Sequence, residues 1–201
     1  HWKMFDLNPG FDNSNPAYFV ELNDALYFRA NDGISGQELW KYDLITHTPS
    51  QVADINSGPT GSYVADLVVC DGAVYFQGND GITGTELWKY DPVIDAASQA
   101  TDIYTGSGDS YPSELVVYDG AVYFRAIGEL WKYDPVTDTA SQVADINTGS
   151  GDSYPSNLVV YDDELYFGAN DGITGQELWK YDAITDTASQ VADINTGSGD
   201  S

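Results

Sequence analysis

The six residues ELWKYD occupy positions 38–43 and return unchanged at 86–91, 129–134 and 177–182. The aspartate that opens the following DIN-like segment recurs at Asp6, Asp54, Asp102, Asp145 and Asp193, at intervals of 48, 48, 43 and 48 residues. The short interval has a local cause: YFRANDGISGQELWKYD, which begins at Tyr27, becomes YFRAIGELWKYD at Tyr123, so one loop has lost five residues. A fixed period of this length predicts a stacked architecture, because catalysis rarely requires four copies of one motif.

The last copy shows how one repeat divides into strands. Two runs rich in Val, Tyr, Phe and Leu, NLVVYDD at 157–163 and ELYFGAN at 164–170, meet at Asp162 and Asp163, where two other copies have Asp-Gly. Asp-Gly between apolar runs predicts a tight hairpin. NDGITG at 170–175 predicts a second turn, with Gly at positive φ, ELWKYD predicts a third strand, and SQVADI at 189–194 predicts a fourth.

The predicted fold is all-β. Runs such as LVVY are apolar at consecutive positions, as expected for a sheet that is covered on both faces. We predict a β-propeller of four four-stranded blades, each of about 48 residues, at 9–55, 56–103, 104–146 and 147–194 of a single repeat domain spanning 1–201. The alternatives are an open array of the same blades and a parallel β-solenoid. A fifth copy of the fourth strand, KMFDL at 3–7, and the end in mid-linker favour a window of a longer repeat protein.

One tryptophan recurs in each copy, at Trp40, Trp88, Trp131 and Trp179. Exposed tryptophans would suit sugar binding, but spacing that follows the repeat favours packing between blades, because a buried Trp contributes strongly to a core. We therefore expect all four in equivalent, mostly buried positions.

The charge of the chain restricts its partners. There are 32 acidic against 7 basic residues, a net charge of −25. Nucleic-acid binding requires a basic face, so the composition argues against it, and against binding to an anionic membrane surface. No apolar run approaches the ~20 residues that span a bilayer. Cations, a salty medium or a cationic partner fit this charge better.

The stretches QELWKYD at 37–43 and VADINSGPTGS at 52–62 resemble the ELWxxDGT repeat family, the hyalin-like repeats of bacterial secreted and surface proteins. The resemblance extends over essentially the whole chain. It departs from the family pattern after Asp43, where Leu-Ile-Thr replaces Gly-Thr. The resemblance implies an extracellular repeat module with a β-propeller-like fold and brings no particular activity with it.

The linkers between copies offer the best candidate for a ligand site. DINTGSGDS at 145–153 places Asp145, Asn147 and Asp152 on a Gly-rich loop, and Asp-x-Asn-x-Gly opens many calcium loops. The bidentate acid that closes an EF-hand loop has no counterpart here, and an Asx-turn is the competing interpretation. We predict weak Ca²⁺ sites in the linkers. Their ligands would be Asp54, Asn56, Asp102, Asp109, Asp145, Asn147, Asp152, Asp193, Asn195 and Asp200.

The sequence favours a non-enzymatic function. It contains no Cys/His metal cluster, phosphate-binding Gly-rich loop or serine-elbow motif, and with 32 acids a close carboxylate pair carries little information. The prediction is a secreted or cell-surface structural or adhesive module, stabilised by calcium. Its partners would be other copies of itself or extracellular polymers. The alternative is a carbohydrate-binding, lectin-like propeller with repeated aromatic pockets.

Overall fold

The computed structural model describes residues 5–10 and 12–194, and the regular elements within them are all β-strands. The first two blades comprise β1 Ala17–Leu22, β2 Ala25–Asn31, β3 Gln37–Asp43, β4 Thr48–Ala53, β5 Ala65–Cys70, β6 Ala73–Asn79, β7 Thr85–Asp91 and β8 Ala96–Thr101. The next two comprise β9 Ser113–Tyr118, β10 Ala121–Ala126, β11 Glu129–Asp134, β12 Thr139–Ala144, β13 Ser156–Tyr161, β14 Glu164–Asn170, β15 Gln176–Asp182 and β16 Thr187–Ala192. No helix among the described residues has the length and apolar character needed to cross a membrane.

Each group of four strands forms its own antiparallel sheet, in the order in which the strands occur along the chain. This up-and-down arrangement excludes the parallel β-solenoid. The first hairpin of every blade turns on two residues with positive φ, as a tight type I′ turn requires. The pairs are Asn23 and Asp24, Asp71 and Gly72, Asp119 and Gly120, and Asp162 and Asp163. The predicted hairpins are therefore confirmed, including the two in which Asp24 and Asp163 stand where the other copies have Gly.

The four tryptophans occupy the same position of the third strand and have the same partner in the second strand. The pairs are Phe28 and Trp40, Phe76 and Trp88, Phe124 and Trp131, and Phe167 and Trp179. The prediction of equivalent positions is confirmed. Trp40 and Trp88 are buried, whereas Trp131 and Trp179 are half-buried.

The described contacts divide the chain into two units, His1–Ser110 and Tyr111–Ser201, with two blades each. In the first unit, Tyr27 and Leu39 of one blade share a buried apolar cluster with Phe76 and Trp88 of the other. In the second unit, the equivalent cluster joins Tyr123 and Leu130 to Leu165, Phe167 and Tyr181. Both clusters confirm the sequence inference that apolar residues on both faces of a strand serve packing between blades.

The fourth strand differs from its predicted bounds. In the last blade it begins at Thr187 and ends at Ala192, so it does not include Asp193 and Ile194. It ends there because the backbone N–H of Ile194 turns away to donate to the carboxylate of Glu177 at 3.0 Å. The predicted extra copy at 3–7 lies partly outside the described residues, and its described part, 5–7, carries no strand.

The third blade keeps all four strands despite its shorter sequence. Strands β10 and β11 are joined by only Ile127 and Gly128, both with positive φ. The missing residues therefore belong to a loop, as the sequence predicts.

Candidate functional site

The glutamate that opens each ELWKYD copy is buried inside its blade. The exposed fraction is 0% for Glu38 and Glu86, 8% for Glu129 and 2% for Glu177. Each carboxylate accepts hydrogen bonds from the linker that follows its blade. Glu38, for example, accepts from the Ser62 hydroxyl at 2.6 Å and from the Ile55 N–H at 3.1 Å. This glutamate is thus the point at which the linker is fixed to the blade.

The same bonds recur in later copies. The hydroxyl of Ser110 donates to Glu86 at 2.6 Å, and that of Ser153 donates to Glu129 at 2.6 Å. Glu177 accepts from the Ile194 N–H, and the serine at its equivalent position, 201, lies outside the described residues. The glutamate–serine contact is therefore part of the repeat.

The linker serine also connects consecutive blades. The N–H of Ser62 donates to the carbonyl of Gln37 at 3.0 Å, and its own carbonyl accepts from the N–H of Asn79, at the end of β6, at 2.8 Å. In the second unit, the carbonyl of Ser153 accepts from Asn170 of β14 at 2.9 Å. Within each unit, this serine therefore bonds to the blade before it and to the blade after it.

Burial changes the acidity of these glutamates. It raises the pKa of Glu38 to about 7, against the opposing hydrogen bonds from Ser62 and Ile55. It also raises the pKa of Glu86 and Glu129. A carboxyl with a raised pKa is a common catalytic acid, but such an acid must reach its substrate. Because Glu38 and Glu86 are fully enclosed, their arrangement suits a structural role.

The predicted calcium ligands mainly make local hydrogen bonds. Asp145 accepts from the N–H of Gly149, and Asp102 from that of Gly106, each at 3.4 Å. Such hydrogen bonds from a side chain to the nearby backbone are typical of polar turns. Asp109 accepts from the N–H of Thr85 at 2.6 Å. Asp54 lies exposed at the end of β4, and Asp193 lies exposed after β16.

The side-chain amides of two predicted asparagine ligands donate hydrogen bonds through Nδ2. Asn56 Nδ2 donates to the carbonyl of Gly61, and Asn147 Nδ2 to that of Asp152, each at 3.1 Å. Asn195 and Asp200 lie outside the described residues. Within 5–10 and 12–194, no three His, Cys, Asp or Glu residues are grouped so as to hold a metal. Calcium also takes ligands from Asn side chains and backbone carbonyls, so the calcium sites stay a prediction.

The asparagine has a second contact that the sequence interpretation missed. Its Oδ1 lies against the glycine of the Asn-Asp-Gly loop between the second and third strands of a blade. A Cβ at Gly81 would come within 2.9 Å of Asn56 Oδ1, and one at Gly172 within 2.5 Å of Asn147 Oδ1. The sequence holds one signal of this contact: Tyr104 replaces the asparagine in the linker before the blade that has lost this loop.

The Asn-Asp-Gly loop is closed by hydrogen bonds to its own aspartate. In the fourth blade, Asp171 Oδ1 accepts from the N–H groups of Ile173 and Thr174 at 2.8 and 2.7 Å, and from the Thr174 hydroxyl at 3.0 Å. The backbone hydrogen bond from Thr174, opposed by burial, lowers the pKa of Asp171. The predicted turn is confirmed, with Gly172 at φ +77°.

A groove of about 370 Å³ lies between this loop and the third linker. It is lined by Asn147, Asp152, Tyr154, Asn170, Gly172, Ile173 and Gly175. Two predicted calcium ligands, Asn147 and Asp152, therefore come together here, while Asp145 does not line the groove. The groove also contains an exposed aromatic ring, Tyr154, which sequence reasoning did not select.

No family model matches the chain, and no curated protein matches it. Solved structures do. The extracellular domain of the one-component system BT4673 from B. thetaiotaomicron is 14% identical with a TM-score of 0.64, over 88% of this chain and 23% of that one. Puromycin hydrolase is 16% identical with a TM-score of 0.61, over 88% and 28%. TolB from Acinetobacter baumannii is 15% identical with a TM-score of 0.53, over 84% and 41%.

These similarities concern the fold alone. The structures are β-propeller proteins, and the four-stranded meanders of this chain match them, so the predicted propeller-type fold is confirmed. The chain spans about a quarter of the length of the first of these structures.

Proposed function

We propose that the chain is an extracellular, non-enzymatic repeat module with a structural or adhesive role. The observation that carries this proposal is the burial of the repeated glutamate. Glu38 and Glu86, which open their ELWKYD copies, are 0% exposed and bonded to linker serines. A motif repeated for catalysis would present its carboxylates to substrate.

Charge and resemblance support the extracellular part of the proposal. The net charge of −25 is tolerated most easily where salt and divalent cations screen it. The ELWxxDGT pattern resembles repeats of bacterial secreted and surface proteins, and one similar solved structure is described as an extracellular domain. Both arguments favour a surface module whose partners are extracellular polymers or other copies of itself.

The proposal is tested by retention and hydrolysis on one panel. The chain is incubated with insoluble cellulose, chitin, mannan and xylan, and with beads that carry the chain itself. We expect retention on at least one support and no release of soluble sugar. Release of sugar that a single carboxylate-to-amide substitution abolishes would overturn the non-enzymatic role. Absence of retention on every support would overturn the adhesive role.

A carbohydrate-binding function is the second candidate, and the groove beside Tyr154 favours it. The lectin alternative requires aromatic rings that solvent reaches, whereas Trp40 and Trp88 are buried against neighbouring side chains. Tyr63, Tyr111 and Tyr154 each follow a linker serine and are 55%, 62% and 56% exposed. Trp131 and Trp179 are half-buried, whereas all three tyrosines are more than half exposed, so the tyrosines are the better candidates for contact with a sugar.

A further inference from the structure

The groove beside Tyr154 has three features together, whereas the equivalent position in each other described copy lacks at least one of them. It has a linker tyrosine, a linker carboxylate and an intact Asn-Asp-Gly loop. The position of Asp152 is occupied by Gly61 in the first linker, and that of Tyr154 by Asn15 in the N-terminal copy. The linker at 102–110 precedes the blade without the loop. Only the linker at 145–153 brings all three together among the described residues.

The backbone of Tyr154 is held in an unusual conformation. Tyr154 has φ +47°, which a bulky residue adopts only when its surroundings impose it. Its neighbours Ser153 and Pro155 are buried, and its N–H donates to the carbonyl of Gly128 at 2.8 Å. The backbone that carries the ring is therefore fixed and Tyr154 is 56% exposed, so a ligand can reach the ring without first ordering the backbone.

Polar groups surround this ring. A side-chain hydrogen bond with Asp152 raises the pKa of the Tyr154 hydroxyl, which places the carboxylate beside it. Asn170 Oδ1 accepts from the N–H of Gly172 at 2.7 Å. In the second blade, the equivalent Asn79 Nδ2 donates to the Thr85 hydroxyl at 2.9 Å. The fourth blade has Gln176 at that position, and no acceptor among the described residues takes a hydrogen bond from Asn170 Nδ2.

We propose that this groove binds an uncharged saccharide. The Tyr154 ring provides a flat surface for the C–H face of a sugar ring, and Asp152 accepts from neighbouring hydroxyl groups while Asn170 donates to one. A small number of polar groups around an apolar surface is the usual composition of a ligand site, and about 370 Å³ is within the usual size range. The net charge of −25 disfavours uronic-acid and sulfated chains.

This inference rests on the proposed role as a module that binds extracellular polymers, and it names the ligand class. It is tested by calorimetric titration of the intact chain with cellohexaose, mannohexaose and N-acetylchitohexaose, and with hexagalacturonate as the anionic probe. We expect at least one neutral hexasaccharide to bind with a Kd of about 1 mM or tighter, and hexagalacturonate not to bind.

Two substitutions identify the site. Tyr154→Asn introduces the residue that the N-terminal copy has at this position, where Asn tolerates positive φ, and Asp152→Asn removes only charge. Each should weaken binding at least about tenfold, the equivalent of about 1.4 kcal/mol. The matched control is Tyr63→Asn, at φ +54° beside a linker without the acid, and it should leave the Kd within about twofold.

The inference is overturned if no neutral hexasaccharide binds, if hexagalacturonate binds equally well, or if Tyr154→Asn and Tyr63→Asn have the same effect on the Kd. Failure of the site and failure of the proposed function are distinguishable. If the chain is retained on a polysaccharide and Tyr154→Asn does not change that retention, the site alone is refuted. If sugar is released and binding depends on Tyr154, the non-enzymatic role alone is refuted.

Discussion

The hydroxyl of Ser62 donates a hydrogen bond of 2.6 Å to the buried carboxylate of Glu38, across 24 residues of sequence. The same separation joins Ser110 to Glu86 and Ser153 to Glu129, although the third blade has lost part of a loop. The loop lies before the glutamate, so its loss leaves this distance unchanged. The ELWKYD copies recur because each of the first three blades fixes the linker that follows it in the same way.

The raised pKa of Glu38 predicts a dependence of stability on pH. The folded pKa is about 7 and the ordinary value is 4.5, so between them the folded chain binds the proton more tightly than the unfolded chain. The stability that this group contributes is complete below pH 4.5 and is lost as the pH rises through 7. The loss is on the order of 3 kcal/mol, since a tenfold change in proton affinity is worth about 1.4 kcal/mol.

Urea unfolding across this pH range at high ionic strength measures the effect, because salt screens the general repulsion among acids. Glu38→Gln, which keeps an acceptor for Ser62, should flatten the fall in unfolding free energy. The exposed Glu21→Gln removes the same charge and should leave the slope as it is. Equal slopes in the two variants would contradict the prediction.

Gly36 should be much less tolerant of substitution than Gly72. Both have positive φ, at +80° and +75°, but a Cβ at Gly36 would lie 2.5 Å from the backbone N of Gly61, whereas one at Gly72 has open space. We expect Gly72→Ala to cost about 1–2 kcal/mol through backbone strain alone. Gly36→Ala should cost a further ~1–3 kcal/mol for displacing the linker. Chemical denaturation compares the two, and equal costs would refute the close approach.

The turn between the third and fourth strands offers a stabilising substitution. The hydroxyls of Tyr90 and Tyr181 donate to Asp95 and Asp186, each at 2.5 Å, and Tyr133 donates likewise to Asp138. The first blade has His47 at this position, with its ring beside Tyr42. His47→Asp should add the missing hydrogen bond and raise the unfolding free energy by about 1 kcal/mol. The gain should disappear when Tyr42→Phe is combined with it, and persistence of the gain would contradict this origin.

Calcium should raise the melting temperature if the linker carboxylates bind it. Extracellular modules bind Ca²⁺ at ~10⁻⁴–10⁻³ M, and binding to the folded chain alone stabilises it by mass action. Melting curves with millimolar calcium, with chelator, and with magnesium at matched ionic strength separate binding from screening. Asp145→Asn, which keeps an acceptor for the Gly149 N–H, should reduce the calcium-specific rise. No calcium-specific rise would leave these linkers as polar turns.

Much of the fold was predictable because its signals repeat. Strand order, hairpin turns and equivalent tryptophans follow from apolar runs and Asp-Gly pairs that recur at a fixed period. The end of the fourth strand was not predictable. It depends on a hydrogen bond from the N–H of Ile194 to Glu177, 17 residues earlier, whereas the apolar pattern reports only local burial.

The candidate site was less predictable. A polarity pattern treats Glu38 as a solvent-facing residue, although the constant spacing of glutamate and serine was a usable signal. The roles of Asn147 and Tyr154 depend on a loop from the following blade, and on a positive φ that sequence does not reveal for tyrosine. Asp145 and Asp152 share a short linker, but only Asp152 lines the groove.

A double-mutant cycle on Glu38 and Ser62 tests most directly whether the ELWKYD copies are architectural. The unfolding free energies of Glu38→Ala, Ser62→Ala and the double variant are measured above pH 7, with the exposed Ser57→Ala in the same linker as the control for Ser62→Ala. We predict a coupling of about 1.5–3 kcal/mol between Glu38 and Ser62, the range of a hydrogen bond to a charged group, and additive effects for Ser57. A Glu38–Ser62 coupling no larger than about 0.5 kcal/mol, indistinguishable from the Ser57 control, would contradict the account.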